Sequence, residues 1–260
     1  MVDSSAFEAY DLLSQYYDSM QTKARNYLQV GQTLGSLIGN RKTLLEIGVG
    51  TGLTVEALLL GNPSYEIWGI DNHQPLLEQA KEKFKHQENV HLDLQDVLNL
   101  KLSREFDVVY SRGGALSLMN LPDGCYFISH IMGRDANLKA LKGIAKHLQN
   151  EGLFIISAEK YKSSDDALTD SVVYSKEIML DDGVIHHRKV ERKSMNSEDY
   201  IFFDFSFRTD QEIIGRKVIE LFSLNYQDYQ KLFMEAGLYP VEIELERDFQ
   251  VYSKVKQKQI

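Results

Sequence analysis

The alternation of apolar and polar positions predicts a core of alternating strands and helices. Between residues 41 and 165, short apolar runs alternate with segments of helical period. Five runs are typical of strands, namely "KTLLEIGV", "YEIWGID", "NVHLDL", "FDVVYS" and "LFIISAEK", and two segments, "HQPLLEQAKEKF" and "ANLKALKGIAKHL", are typical of helices. This alternation predicts βαβ units, and therefore a parallel sheet with helices on both faces.

The two ends of the chain extend this pattern. Residues 1–40 contain two amphipathic helical patterns, "SSAFEAYDLLSQYYDSM" and "ARNYLQVGQTLGSLI". In residues 225–260, "NYQDYQKLFMEAGL" predicts a helix with Asn225 as its N-cap and Gly237 as its stop, and "PVEIELE" and "FQVYSKV" predict strands. We expect a helical cap at the start and the last strands of the core at the end.

Residues 166–224 have a different, extended pattern. Asp182-Gly183 lies between two extended segments and is a strong hairpin signal, and "YIFFDFSFR" alternates apolar and polar positions. In that stretch Phe203, Phe205 and Phe207 share one face of a strand. We therefore expect an antiparallel sheet with one buried side, which forms a lid inserted between the fifth and sixth strands of the core. The phenylalanines are expected to form the lid's own core or to reach a substrate.

Composition and charge narrow the range of partners. The 260 residues carry a formal net charge of -9, which disfavours a polyphosphate and hence nucleic acid. No run approaches the roughly 18 apolar residues of a membrane span, and the N-terminus lacks the basic region of a signal peptide. We expect a cytoplasmic monomer or homodimer that binds neither nucleic acid nor a membrane.

Cysteine and histidine positions argue against a metal site. Cys125 is the only cysteine, so an internal disulfide and a multi-thiolate zinc site are excluded. His186 and His187 are neighbours on a predicted strand and point to opposite faces. His130 and His147 lie on helix-like segments, where a structural or exposed position is expected.

A glycine-rich turn carries the clearest chemical signal. Gly48, Gly50 and Gly52 follow the first strand and open a helix, where backbone N–H groups and the positive helix end can face a closely approaching ligand. A dinucleotide-binding turn has its third glycine one position later, where Leu53 stands. Glu46 precedes the turn, and a carboxylate there suits an amine or a sulfonium better than a pyrophosphate.

The stretches "LLEIGVGTG", "IWGID" and "LQDV" resemble, in order and spacing, the first three motifs of class I S-adenosylmethionine-dependent methyltransferases. The resemblance covers residues 40–160. It implies an α/β, Rossmann-like, doubly wound and mostly parallel seven-stranded sheet, with S-adenosylmethionine as cofactor and S-adenosylhomocysteine as product. The expected organisation is a helical cap (1–40), a cofactor-binding core (41–165), the lid (166–224) and a C-terminal part of the core (225–260).

The same resemblance implies a cofactor site residue by residue. Asp71 would hold both ribose hydroxyls, as a carboxylate can, Asp96 and Val97 would bind the adenine, and Glu46 would lie near the methionine amino group. Arg112 borders the sulfonium or is a salt-bridged residue at the rim. The other implied cofactor residues are Gly48, Gly50, Thr51, Gly52, Asn72, Leu76 and Ser111.

The layout of the N-terminal helices and the lid is similar to that of small-molecule N-methyltransferases acting on amino sugars and on glycine. The predicted substrate contacts are Tyr16, Tyr17, Glu159, Tyr161 and Tyr174, of which Tyr17 and Glu159 are also the candidate catalytic residues. Acids near the substrate mouth, Glu159 with Asp165 and Asp166, are expected to attract a cation, and tyrosine rings add cation–π contacts. Asp165 and Asp166 are equally expected to lie in a solvated loop.

Several substrates stay open. An α-amino group with a pKa near 7.7 to 8.0 needs only about 1 kcal/mol for deprotonation at neutral pH, while an alkylamine needs about 4 to 5 kcal/mol and a carboxylate needs none. We therefore expect transfer to an amine of a small molecule or natural product, including the N-terminal amine of a peptide-derived substrate. Carboxyl or phenol O-methylation is the alternative reaction, and a non-catalytic binding protein that keeps the cofactor fold is the alternative class.

Overall fold

The computed structural model describes residues 11–160, 172–195, 198–242 and 248–255. The helices, in chain order, are α1 (Tyr17–Ala24), α2 (Tyr27–Ile38), α3 (Leu53–Gly61), α4 (Gln74–Lys83), α5 (Arg134–Lys146) and α6 (Tyr226–Glu235). The strands are β1 (Thr43–Ile47), β2 (Glu66–Asp71), β3 (Val90–Leu94), β4 (Phe106–Ser111), β5 (Leu116–Leu121), β6 (Gly124–Ser129), β7 (Leu148–Lys160), β8 (Val172–Met179), β9 (Ile185–Met195), β10 (Glu198–Arg208), β11 (Ile213–Leu224), β12 (Tyr239–Pro240) and β13 (Phe249–Ser253).

The first sheet is the predicted core, with seven strands among the described residues. Its order is β3-β2-β1-β4-β7-β13-β12, parallel from β3 to β7 and antiparallel at β13 and β12. The sheet is buried on both faces, by α2 and α3 on one side and by α5 and α6 on the other. Because such strands contact helices on both sides, they are continuous apolar runs, such as the fully buried Leu44 and Leu45 in β1. The predicted Rossmann-like fold is confirmed.

The strand order reverses between β1 and β4, because the chain leaves β3 at one edge and returns to the other side of β1. In open α/β sheets the crevice outside the carboxyl ends of the strands at such a reversal is the usual ligand site. The glycine-rich turn after β1 lies at this crevice.

The second sheet is antiparallel and has the order β5-β6-β11-β10-β9-β8. It joins the first sheet through β7, which pairs in parallel with β5 from Leu118 opposite Ala158 to Asn120 opposite Lys160. The lid therefore continues directly from the core sheet. Two strands of the second sheet that lie outside the lid segment, β5 and β6, were not expected from the sequence, although Pro122-Asp123-Gly124 between two apolar runs is a turn signal.

One face of the lid packs on the N-terminal segment. Phe205 and Phe207 are buried in a cluster with Leu13 and Met20, and Tyr16 stacks on Phe207 with ring centroids 4.8 Å apart. The long helix predicted in this segment is interrupted by a turn at residues 15–16, after which α1 begins. The interruption separates two short helical pieces, and each contributes a residue to this cluster, Leu13 from the first piece and Met20 from α1.

Local signals near the ends of elements mark real boundaries. Asp182-Gly183 forms the turn between β8 and β9, with Gly183 at φ +83°. Asn225 caps α6 by accepting from the backbone N–H of Asp228 at 3.1 Å, and Gly237 follows the helix at φ +83°. Of the predicted strand "PVEIELE", residues 243–246 lie outside the described residues, and β12 ends at its first position.

Candidate active site

A cavity opens at the carboxyl ends of β1 and β2 and beside the segment after β3. Its empty volume, including the open space at its mouth, is about 780 Å³. Its lining includes seven of the predicted cofactor residues, together with Tyr17: Gly48, Gly50, Asp71, Asn72, Leu76, Asp96 and Val97. The structure therefore brings most of the predicted cofactor residues together around one space, which we call the first cavity.

The glycines of the turn have different tasks. Gly48 has φ +76°, and a Cβ on it would lie 2.8 Å from the Cα of Gly114, so the backbone after β4 packs directly on this position. Gly50, at φ +55°, lines the first cavity, and its N–H donates to Asp71 Oδ2 at 2.7 Å. Only glycine combines these left-handed angles with such close approach. Gly48 thus closes the floor of the crevice, while Gly50 leaves room in it.

Asp71 lies at the end of β2 and is anchored by the backbone. Its Oδ1 accepts from the N–H of His73 at 2.8 Å, and its Oδ2 accepts from Gly50. Burial raises the pKa of Asp71, and the two backbone hydrogen bonds counteract that shift. Each carboxylate oxygen has a second lone pair, so two further donors can be bound side by side.

Asp96 follows β3 and begins a single 3₁₀ turn over Val97–Asn99. Its Oδ1 accepts from the N–H of Leu98 at 2.9 Å, which fixes the carboxylate at the rim of the first cavity. Gln95 beside it also lines the cavity and was not singled out from the sequence. The arrangement offers a hydrogen-bond acceptor on the wall of the first cavity.

Glu46 lies beneath the turn and not on the wall of the first cavity. Its side chain is buried, and its Oε2 accepts from the Tyr110 hydroxyl at 3.1 Å. Burial raises the pKa of Glu46 to about 8, although the hydrogen bond from Tyr110 and the charge of Arg112 counteract it. The charge of a nearby amino group would favour the ionised form of this carboxyl. The expected position of Glu46 near the methionine amino group stays a prediction.

Four other predicted cofactor residues do not line the first cavity, and three of them support the segments around it. The Thr51 hydroxyl donates to Asp18 of α1, and the Ser111 hydroxyl donates to the carbonyl of Leu116 at 2.7 Å. Gly52 begins α3, and a Cβ on it would lie 2.3 Å from the Phe84 ring. The fourth, Arg112, is directed away from the first cavity: its guanidinium lies 4.6 Å from the ring centroid of Tyr27 and donates to the Tyr27 hydroxyl at 2.8 Å.

A second cavity adjoins the first one under the lid. Its empty volume is about 630 Å³, and α1, the segment after β4 and the lid strands β9, β10 and β11 contribute to its walls. Tyr17, Gly113, Gly114 and His130 line both cavities. The two spaces therefore meet at these four residues.

The charges around the second cavity differ from the expectation. Glu159 forms an ion pair with Arg25, and Arg112 and Arg188 line the same space. Burial alone would raise the pKa of Glu159, but the three guanidinium groups hold it at about 2. Among the described residues the second cavity is therefore basic, while Asp165 and Asp166 lie outside the described ranges. A carboxylate with so low a pKa is a hydrogen-bond acceptor rather than a base.

The predicted tyrosines occupy different places. Tyr17 lies at the junction of the two cavities, whereas Tyr16 packs against the lid. Tyr174 lines a third cavity on the far side of the Arg25–Glu159 pair, and burial raises its pKa. Tyr161 lies outside the described residues.

His130 was expected to be structural or exposed, yet it follows β6 and lines both cavities. Burial lowers its pKa to about 4, so the imidazole is neutral at neutral pH, where it can accept a hydrogen bond. A helix-like segment was expected at His130 because the sequence does not mark the hairpin β5–β6 by alternation.

Two absences concern the described residues only. No group of three or more His, Cys, Asp or Glu side chains within the described ranges is arranged to hold a metal ion. None of the helices in those ranges has the length and apolar character that a membrane crossing needs.

Comparisons with known proteins bear on this site. Residues 44–152 match the family described as a methyltransferase domain. The malonyl-(acyl-carrier protein) O-methyltransferase 1 of Ilyobacter polytropus is 29% identical over 93 residues, 33% of this chain and 35% of that protein. The match thus spans about a third of the length of the curated relative.

Solved structures resemble the whole fold, lid included. The amino pentose methyltransferase CalS10 of Micromonospora echinaspora, with S-adenosylmethionine bound, is 16% identical, covers 92% of this chain and 96% of its own, and has a TM-score of 0.66. The sugar N-methyltransferase KedS8 of a Streptoalloteichus species is 16% identical, with coverage of 94% and 92% and a TM-score of 0.62. At these identities the likeness shows the fold alone.

Proposed function

The chain carries a methyltransferase domain within the fold of class I S-adenosylmethionine-dependent methyltransferases, and from that premise we propose that it methylates an amine nitrogen of a small molecule. The methyl donor is S-adenosylmethionine, and the product of the donor is S-adenosylhomocysteine. The single observation that supports this proposal is the meeting of two cavities at Tyr17 and His130.

The first cavity fits the cofactor. Asp71 would accept from the ribose hydroxyls, and Asp96 with the backbone of Val97 would bind the adenine. The turn at Gly50 would lie along the methionine part, and the methyl group would then face the junction at Tyr17. Each contact matches a carboxylate or a backbone group already on the cavity wall.

The second cavity fits the methyl acceptor. In methyl transfer, the nitrogen lone pair forms the new N–C bond while the C–S bond breaks and the sulfonium becomes a thioether. Alignment of the reacting groups in a site that excludes water contributes about 7 to 11 kcal/mol. The lid and α1 cover this space, so an acceptor bound there would be shielded from bulk water.

An ammonium must lose its proton before attack, because the nitrogen lone pair forms the new bond. The guanidinium groups of Arg25, Arg112 and Arg188 favour the neutral form of a nearby amine, because like charges lower its pKa. Neutral His130 at the junction would orient that amine by accepting a hydrogen bond from it, and the methylated ammonium would lose its proton to water on release. Tyr17 would contact the reacting nitrogen, and Glu159 would accept a hydrogen bond from the substrate while ionised.

Carboxyl O-methylation is the second candidate, because a basic cavity also attracts a carboxylate that needs no deprotonation. The name of the Ilyobacter polytropus relative agrees with that chemistry. The amino pentose and the sugar nitrogen named for the structural neighbours favour nitrogen, as does a neutral hydrogen-bond acceptor at the junction.

Transfer of an isotope-labelled methyl group tests the proposal. The enzyme is incubated with labelled S-adenosylmethionine and panels of amino sugars, amino acids, peptides with a free N-terminus, carboxylic acids and phenols, and mass spectrometry locates the label. Label on nitrogen is expected, with Asp71→Ala as the inactive control. Label found only on carboxylates would establish O-methylation, and binding of the cofactor without turnover of any acceptor would favour a non-catalytic binding protein.

A further inference from the structure

Arg188, on the lid strand β9, is a buried arginine that forms no ion pair among the described residues, although its charge helps to lower the pKa of Glu159. Its side chain is only 8% exposed, and it lines the second and third cavities. Its guanidinium lies 5.3 Å from the ring centroid of Phe205, and its hydrogen-bond partner is the weak acceptor Met20 Sδ at 4.0 Å. No carboxylate among the residues that the structure describes forms an ion pair with it.

A buried guanidinium in this situation destabilises the folded protein. Its five N–H donors lose water on folding, and a thioether and a ring face replace only a small part of that hydration. Buried charges in proteins are normally paired with an opposite charge or bind one. The position therefore indicates a ligand whose charge compensates Arg188 when it is bound.

The neighbouring charges supply that compensation only in part. Glu159 interacts with the charge of Arg188 but forms its ion pair with Arg25, and Arg112 adds another positive charge to the same wall. The third cavity lies on the far side of the Arg25–Glu159 pair. Lys160 and Lys176 add two positive charges to its lining, and Asp248 adds one negative charge. An anion is the complement that the described residues of this region lack.

We infer that Arg188, together with Arg112, binds an acidic group of the methyl acceptor, a carboxylate or a phosphate, in the second cavity. This inference rests on the proposed function and specifies its substrate class. A planar guanidinium binds either anion through two parallel hydrogen bonds. The acceptor thus carries its nucleophile at the junction near Tyr17 and its acidic group toward the lid, with apolar surface against Phe203.

The first test measures stability and needs no knowledge of the substrate. Arg188→Met keeps the length of the side chain and removes the unpaired charge, so the melting temperature is expected to rise by about 2 °C or more. Arg216→Met is the matched control, because Arg216 lies exposed on the lid in an ion pair with Asp204 and lines neither cavity. That variant is expected to melt at or slightly below the wild-type temperature.

The same assay includes an anion probe. Sodium phosphate and sodium acetate, compared with sodium chloride at equal ionic strength, are expected to raise the melting temperature of the wild type and of Arg216→Met, and not that of Arg188→Met. A lower melting temperature for Arg188→Met in chloride would show that the guanidinium is structural and would overturn the inference. An equal response of all three proteins to the anions would overturn it as well.

The second test compares acceptors that differ only in the acidic group. Glucosamine is set against glucosamine 6-phosphate, and amino acids are set against their amides, with labelled S-adenosylmethionine as donor. Turnover is expected for one or both acidic members and not for the neutral ones, which also distinguishes phosphate from carboxylate. Label located on the carboxylate would show that the bound acid is itself the methyl acceptor.

Arg188→Met is expected to raise KM for the acidic acceptor about 100-fold, with the affinity for S-adenosylmethionine unchanged. Arg188→Lys keeps the charge without the planar fork and is expected to recover part of that loss. Equal turnover of acidic and neutral acceptors would overturn the inference and leave the proposed function standing. A failure of methyl transfer to every acceptor, with the anion response of Arg188 intact, would instead refute the proposed function.

Discussion

Replacement of Asp71 by alanine is the most direct perturbation of the first cavity. The carboxylate already accepts from the N–H groups of Gly50 and His73 at 2.7 and 2.8 Å, which fixes its plane before a ligand arrives. We expect two ribose hydroxyls to donate to its remaining lone pairs. A hydrogen bond to a charged group contributes about 1.5 to 3 kcal/mol, so the loss of two amounts to about 3 to 6 kcal/mol.

This loss corresponds to a dissociation constant for S-adenosylmethionine that is about 10² to 10⁴ times higher. Asp71→Ala also leaves the N–H of Gly50 without its acceptor, so part of the effect comes from a less ordered turn. Asp71→Asn separates the two contributions, because the amide keeps one acceptor oxygen and turns its NH₂ group toward one of the two backbone donors. We expect its affinity to lie between those of the wild type and Asp71→Ala.

The assay is isothermal titration of each variant with S-adenosylmethionine and S-adenosylhomocysteine, with melting temperatures recorded in parallel. Asp93→Asn is the matched control, because Asp93 lies exposed on β3, in register with Ile70 of β2, and does not line the cavity. Its affinity is expected to equal that of the wild type. If folded Asp71→Ala bound the cofactor within about threefold of the wild-type affinity, a difference of about 0.7 kcal/mol, the proposed place of the ribose would be wrong.

Three further predictions follow from the same geometry. Burial raises the pKa of Glu46 from 4.5 to about 8, so the folded state holds a proton that the unfolded state lacks between these pH values. The free energy of unfolding should then fall by up to about 1.4 kcal/mol per pH unit as the pH rises through that window, and denaturant titrations of Glu46→Gln should lack this slope. His130→Leu removes the hydrogen-bond acceptor at the junction and should lower kcat about 10-fold, which corresponds to about 1.4 kcal/mol, and an unchanged kcat would exclude a hydrogen bond from the amine to this imidazole. Gly48→Ala should lower the melting temperature, because its Cβ would lie 2.8 Å from the backbone of Gly114. Gly50→Ala should mainly weaken cofactor binding. Equal losses of stability in both variants would contradict the separate roles of the two glycines.

The antiparallel sheet could be predicted from the sequence only in part. The alternating phenylalanines and Asp182-Gly183 correctly indicated an antiparallel sheet. The hairpin β5–β6, which connects that sheet to β7, was missed although Pro122-Asp123-Gly124 marks its turn. β5 is buried at five of its six positions and β6 at its last three, so neither strand has the alternation that reveals a half-exposed strand.

The sequence by itself determined the cofactor half of the protein. Strand, turn and helix follow from local periodicity, and the carboxyl ends of parallel strands meet at one edge of a sheet. Gly50, Asp71 and Asp96 are therefore brought together by rules that act within a few residues of each one. Neither their charge nor their role depends on a distant partner.

Only the tertiary structure decided the character of the acceptor half. Glu159 suggested a site for a cation, but Arg25, 134 residues away in the chain, neutralises it. Arg188 reaches the same space from a lid strand, and His130 reaches it from the hairpin that the sequence analysis did not recognise. The charge of a cavity is a sum over side chains that distant segments contribute, and no local pattern in the chain encodes that sum.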